Sequence, residues 1–167
     1  KVIPESKIVL PKGIKINITP TTFTLSKGEN TLSRIYPSAM LNITDDGKNI
    51  LLKGKSHNVR VRTIIGTFNA HINNMLKGLE EPFKYNLRIT SVHFPMTAKV
   101  QNNVFELKNF LGGKEIRKAK IPTDVEISVN GSEIELSSRD IEKAGMTATR
   151  IEQLTQVNKR DRRVFQD

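Results

Sequence analysis

The feature that most constrains this chain is an internal repeat. At a single gapless shift of 84 residues, Gly28 falls on Gly112, Leu32 on Ile116, Leu41 on Val125, Ile43 on Ile127, Gly47 on Gly131, Ile50 on Ile134 and Leu52 on Leu136. Alternating hydrophobicity alone would match some apolar pairs by chance. Two turn glycines in register, within the same order of strands before a helix, point instead to a duplicated unit. A chain of 167 residues has room for two small cores.

Each half reads the same way. In the first, short alternating runs over Lys7 to Leu10, Ile14 to Thr19, Thr22 to Leu25, Thr31 to Ile35, Leu41 to Thr44 and Asn49 to Leu52 are punctuated by Gly13, Gly28 and Asp46-Gly47. That is the pattern of antiparallel strands and hairpins. The period then changes: Val61, Ile65, Phe68, Ile72, Met75 and Leu79 form one apolar stripe on a helix from about Asn58 to Leu79. The second half gives extended runs over Phe83 to Val92, Val104 to Lys108, Glu115 to Ala119, Val125 to Val129 and Glu133 to Leu136, then a helix from about Arg139 to Gln156. Its stripe is Ile141, Ala144, Ala148, Ile151 and Leu154, and Ser138 and Asp140 are placed to cap its start. The expected fold class is α+β, with two duplicated units, each an antiparallel β-sheet packed against one α-helix. The units cover residues 1–81 and 82–167, and Pro82 ends the first helix at a linker near Glu80 to Phe83.

Several kinds of chemistry find no support. Without cysteine there are no disulfides, thiol nucleophiles or cysteine-based zinc sites. No apolar run approaches the roughly 20 residues that span a bilayer, and Lys1 to Glu5 do not open a signal peptide, so a cytoplasmic protein without a membrane partner is expected. Either end, at Lys1 or Asp167, is open to trimming relative to the gene product. His57, His71 and His93 lie far apart, without a ligand at metal-binding spacing. No serine sits in a Gly-x-Ser-x-Gly turn, and Gly112-Gly113-Lys114 lacks the rest of a P-loop, so no catalytic residue and no cofactor are expected. The one enzymatic alternative is a metal-dependent RNA-processing activity, in which Asp124, Glu126, Glu133 and Glu135 of the second hairpin converge on a cation. Alternating acids are also the ordinary dress of a solvated strand face, and the first half has Met40, Asn42, Asn49 and Leu51 there. No metal site is expected.

The basic residues are better organised. With 27 Lys and Arg against 17 Asp and Glu, the formal charge is +10, which points to a polyanionic partner. Three clusters stand out. Lys159, Arg160, Arg162 and Arg163 follow the second helix, where guanidinium groups can line a phosphate backbone. Lys108, Lys114, Arg117, Lys118 and Lys120 surround Gly112-Gly113, whose bare backbone would let N–H groups approach phosphates. Lys53, Lys55, His57, Arg60 and Arg62 lie at the entry to the first helix. Seven Phe and two Tyr, with no Trp and no closely spaced aromatic platform, favour shape and phosphate contacts with folded RNA over base stacking. A protein-interaction module with an incidental basic face is a third reading; it predicts no selectivity for one RNA over another.

Two stretches carry a resemblance. Phe105-Glu-Leu-Lys-Asn-Phe-Leu-Gly-Gly-Lys-Glu-Ile-Arg-Lys118 and Val157-Asn-Lys-Arg-Asp-Arg-Arg-Val-Phe-Gln-Asp167, with Pro11-Lys-Gly13 near the start, resemble the archaeal and eukaryotic members of the ribosomal protein L6 family. The resemblance covers essentially the whole chain and implies two duplicated sheet-helix units. It implies a structural constituent of the large ribosomal subunit, located in the cytoplasm, with large-subunit ribosomal RNA and neighbouring ribosomal proteins as partners and translation factors close by. Binding would fall mainly to the second unit, near the sarcin-ricin loop. Residues implied in RNA contact are Lys159, Arg160, Arg162 and Arg163, then Asn109, Gly112, Gly113 and Lys114, with Arg60 and Arg62 in the first unit. Members of the family usually continue past the position of Asp167 with a Gly-Ile-Tyr-like segment.

Overall fold

A computed structural model describes residues 2–91, 93–158 and 161. The chain divides into two units, Lys1–Glu81 and Pro82–Asp167. In unit 1, strands β1 (Glu5–Val9), β2 (Lys15–Ile18), β3 (Thr22–Lys27), β4 (Asn30–Ile35), β5 (Leu41–Asp45) and β6 (Asn49–Gly54) precede helix α1 (Val59–Glu80). They form two antiparallel three-stranded sheets, ordered β1-β6-β5 and β2-β3-β4. In unit 2, β7 (Phe83–Arg88), β8 (Thr97–Gln101), β9 (Val104–Lys108), β10 (Arg117–Lys120), β11 (Glu126–Asn130) and β12 (Glu133–Ser138) precede α2 (Ile141–Gln153). Its sheets, β11-β12-β7 and β10-β9-β8, repeat the first pair.

Period-two alternation in the strands turns one face of each sheet inward, and the helix stripe closes over it. In unit 1, Phe23, Leu25, Leu41, Ile50 and Leu52 are fully buried beside Ile65, Ile72 and Leu79 of α1. In unit 2, Phe105, Leu107, Ile134 and Leu136 meet Ala148 and Ile151 of α2. Each fully buried side chain of this size contributes about 1.5–3 kcal/mol. The helix ends follow local chemistry. The Asn58 side chain accepts from the Arg60 amide at 3.3 Å, and Glu81, extended as a residue before proline must be, closes α1. At α2 the cap is Asp140, which accepts from the Glu142 amide at 3.0 Å, while the buried Ser138 hydroxyl accepts from Asp140 N–H and donates to the Asp124 carbonyl.

Three sequence expectations need correction. First, α2 stops at Gln153 and not Gln156, because the amides of Leu154, Thr155 and Gln156 reach back three residues, not four, and the chain tightens into turns. Second, β8 was not anticipated. It lies just after Pro95 and offers the core only Ala98 and Val100, too weak an alternation to register as a strand. Third, the repeat is not gapless. Strand pairing keeps the 84-residue shift across β5–β6 and β11–β12, where Ile43 pairs with Leu52 as Ile127 pairs with Leu136. Elsewhere Ile8 corresponds to Leu87, Phe23 to Phe105 and Leu32 to Arg117, which are shifts of 79, 82 and 85. Gly28 and Gly112 share a left-handed φ in corresponding turns, but Leu32 does not correspond to Ile116. The steps from 79 to 82 and from 82 to 85 mean that unit 2 has three extra residues in the β7–β8 connection and three more between β9 and β10.

Candidate nucleic-acid interface

The two longer connections of unit 2 meet each other. Asn109, at φ 61°, turns the chain out of β9, and its side-chain amide donates to the Pro95 carbonyl at 2.8 Å. Gly112, at φ 71°, lies under the Phe94 ring, where an added Cβ would come within 3.0 Å of a ring carbon. The left-handed backbone and the ring together require glycine there. Leu111 also has positive φ, at 53°, while Phe110 is buried below it. Between the connections and the core lies a pocket of about 300 Å³, lined chiefly by apolar side chains such as Leu87, Phe94, Met96, Phe105 and Ile151.

The loop's own hydrogen bonds alter one expectation. The Gly113 amide donates to the Phe110 carbonyl at 2.9 Å and the Gly112 amide to the Asn109 carbonyl at 3.4 Å. These N–H groups hold the turn and are not displayed to an anion. Gly112, Gly113 and Lys114 are nevertheless solvent-exposed, which puts the Lys114 ammonium at the tip of the connection. Arg117 is placed differently. It is half-buried, its guanidinium stands 4.1 Å over the Phe110 ring, and it donates to the Leu154 carbonyl at the end of α2. Its charge therefore ties the loop to the helix.

Beside the loop, the outer face of the β8–β9–β10 sheet is dominated by lysine. Register places Lys99, Glu106 and Lys118 in one row across the three strands, with Lys108 beside Thr97 in the row on one side and Lys120 beside Val104 in the row on the other. Lys118 lies 2.9 Å from the Glu106 carboxylate. That hydrogen bond holds the Glu106 carboxyl below the usual glutamate range. Partial burial opposes the shift, while the charges of Lys118, Lys108 and Lys99 reinforce it. Sequence reasoning had Lys118 and Lys108 but missed Lys99 because it missed the strand that carries it.

Lys53, Lys55, His57, Arg60 and Arg62 of unit 1 are all exposed around the start of α1, whose first turn has no acid. Lys159, Arg160, Arg162 and Arg163 lie outside the described residues. The acidic hairpin does not gather into a cation site. Its outer face alternates Glu126, Glu133 and Glu135 with Lys84 and Arg88 of β7, Lys84 lies 3.4 Å from Glu135, and Asp124 pairs with Lys143. Among the described residues, no group of three carboxylates or histidines is placed to hold a metal. His71 packs edge-on to Phe68 at 5.6 Å and His93 to Phe94 at 4.7 Å.

The fold defines a duplicated α+β protein with exposed lysines on one sheet face and at the tip of the β9–β10 connection. A family model described as ribosomal protein L6 matches residues 94–167. Over most of the chain it is similar to proteins named large ribosomal subunit protein uL6. The Thermoplasma acidophilum protein is 36% identical over 160 residues, covering 96% of this chain and 90% of the relative. That of Haloarcula marismortui is 32% identical over 165 residues, covering 99% and 93%, and that of Methanobrevibacter smithii 34% over 165 residues, covering 98% and 92%. The chain belongs to the ribosomal protein L6 family, in its archaeal form.

Proposed function

We propose that the protein is a structural constituent of the large ribosomal subunit, working in the cytoplasm without turnover, that binds large-subunit ribosomal RNA mainly through unit 2. The observation that carries this reading is the concentration of exposed cations on one side of the β9–β10 connection and its sheet, in a chain whose relatives are named for the large subunit. Cations on a rigid sheet displace counterions condensed on phosphates, and the fixed geometry selects the RNA fold that matches it. Lys114 at the loop tip, Lys118 on the sheet, and Lys159, Arg160, Arg162 and Arg163 after α2 supply the contacts. Asn109, Gly112, Gly113 and Arg117 shape the surface that presents them. Arg60 and Arg62 add a smaller contact from unit 1. The site on the RNA lies near the sarcin-ricin loop, beside neighbouring ribosomal proteins and within reach of translation factors.

The test is binding to large-subunit ribosomal RNA against an unrelated structured RNA of equal length across a salt series. Selective binding that survives moderate salt is expected, and Arg160→Ala should lower the slope of log K against log salt by about one unit. Equal binding of both RNAs, abolished by salt, would reduce the surface to a general polyanion attractor and sink the ribosomal reading.

A further inference from the structure

We infer that the outer face of the β8–β9–β10 sheet is a docking plane for the phosphate backbone of duplex RNA, held by Lys99, Lys108, Lys118 and Lys120. The inference rests on unit 2 being an RNA-binding unit. It deepens that reading by bringing Lys99, Lys108 and Lys120 together with Lys118 and by naming the class of RNA structure that the sheet face takes.

The geometry comes from strand pairing. Neighbouring strands stand about 4.8 Å apart, so Lys99 and Lys118 flank Glu106 at roughly 10 Å from each other. Side chains on one face recur every second residue, about 7 Å along the strand, so Lys108 and Lys120 occupy rows on either side of that line. The result is a shallow plane of ammonium groups over three rows with a single carboxylate at its centre. Glu106 does not serve as a phosphate ligand. It fixes Lys118 by a hydrogen bond of 2.9 Å and relieves the repulsion among four like charges.

Two comparisons within the chain separate this arrangement from ordinary surface charge. In unit 1 the corresponding positions, found from the same pairing, are Asn17, Thr24, Ser26, Ser33 and Ile35. That face of unit 1 carries one cation, Lys15 at the position of Thr97, against four in unit 2, so the lysines are not imposed by the fold. In unit 2 itself, the other sheet alternates cations with acids. A requirement for solubility alone would not load one face and balance the other. The remaining residues of the lysine plane, Thr97, Gln101 and Val104, include no aromatic ring on which an unpaired base could stack. Backbone contact with a duplex fits such a plane better than recognition of a single strand.

The full-length triple variant Lys99→Gln/Lys108→Gln/Lys120→Gln leaves the Lys118–Glu106 pair intact and changes only exposed side chains. Its binding to a large-subunit ribosomal RNA transcript, to an unrelated RNA hairpin and to a single-stranded RNA of equal length is measured across a salt series, with circular dichroism as the check on folding. The expected result is a loss of about two to three units of salt slope on the duplex-containing RNAs, while Lys84→Gln on the other sheet leaves the slope unchanged. Should the triple variant fold poorly, Lys99→Gln alone should lower the slope by about one unit. An unchanged slope in a folded variant overturns the docking plane, as does a loss confined to the single strand. Reduced slope together with no preference of the wild type for ribosomal RNA supports the plane and rejects the ribosomal reading, so the two fail separately.

Discussion

The two sheets β2-β3-β4 and β8-β9-β10 share one frame and differ in what they show to solvent. Inside, Phe23 and Leu25 correspond to Phe105 and Leu107, all at most 2% exposed. Outside, the row Asn17-Thr24-Ser33 corresponds to Lys99-Glu106-Lys118. Packing holds the interior to apolar residues of similar volume, since either a cavity or an overfilled core is costly. Solvent holds the exterior to almost nothing, so after duplication the outer face is where two copies of one fold can acquire different partners. The backbone diverges in the same sense. Its three-residue insertions are both in unit 2, and they are joined by the bond from Asn109 to the Pro95 carbonyl.

The sharpest test of the shared interior is to truncate both buried rings. Phe23→Ala and Phe105→Ala should each cost about 3–5 kcal/mol, read as lost hydrogen-exchange protection in β3 and β9 respectively. Losses differing by more than about 2 kcal/mol would mean that the copies conserve shape without conserving energy. A smaller effect is expected where the copies solved the strand-helix junction differently. A Cβ on Gly54 would lie 2.5 Å from Val61 Cγ1, whereas Ser138 at the corresponding position uses its hydroxyl to bridge Asp124 and Asp140. Gly54→Ser should destabilise by about 1–3 kcal/mol through overpacking and Ser138→Gly by about 1–2 kcal/mol through lost hydrogen bonds. Thermal melts of the two variants check this, and a Gly54→Ser protein as stable as wild type would show that the junctions are interchangeable. The smallest effect concerns the exterior. Grafting Asn17→Lys/Ser26→Lys/Ser33→Lys/Ile35→Lys onto unit 1 should steepen the salt dependence of RNA binding without improving selectivity. A gain in selectivity would mean that the frame, and not its neighbouring loops, reads the RNA.

What the sequence disclosed, and what it hid, follows from the range of the forces involved. Turn glycines Gly47 and Gly131, the Asp140 cap and the helix stripes are local signals, read within a few residues. The division into two sheets per unit and the changing offset depend on which strands pair, which is settled by contacts distant in sequence. The β8 strand has too little apolar alternation to announce itself, so Lys99 could not be joined to its partners. Arg117 reads as one cation among five, and only the fold reveals that Phe110 and the Leu154 carbonyl occupy it. The glycine turn was legible as a turn, but not the use of its amides to close itself.

Strand β10 lies at one end of the β10-β9-β8 sheet. A sheet edge exposes unpaired backbone groups that invite a strand from another molecule, and lysines along such an edge discourage the approach. Lys118 and Lys120 stand on that strand. On that edge the same charges disfavour pairing with a strand of a second chain, whatever the sheet face binds.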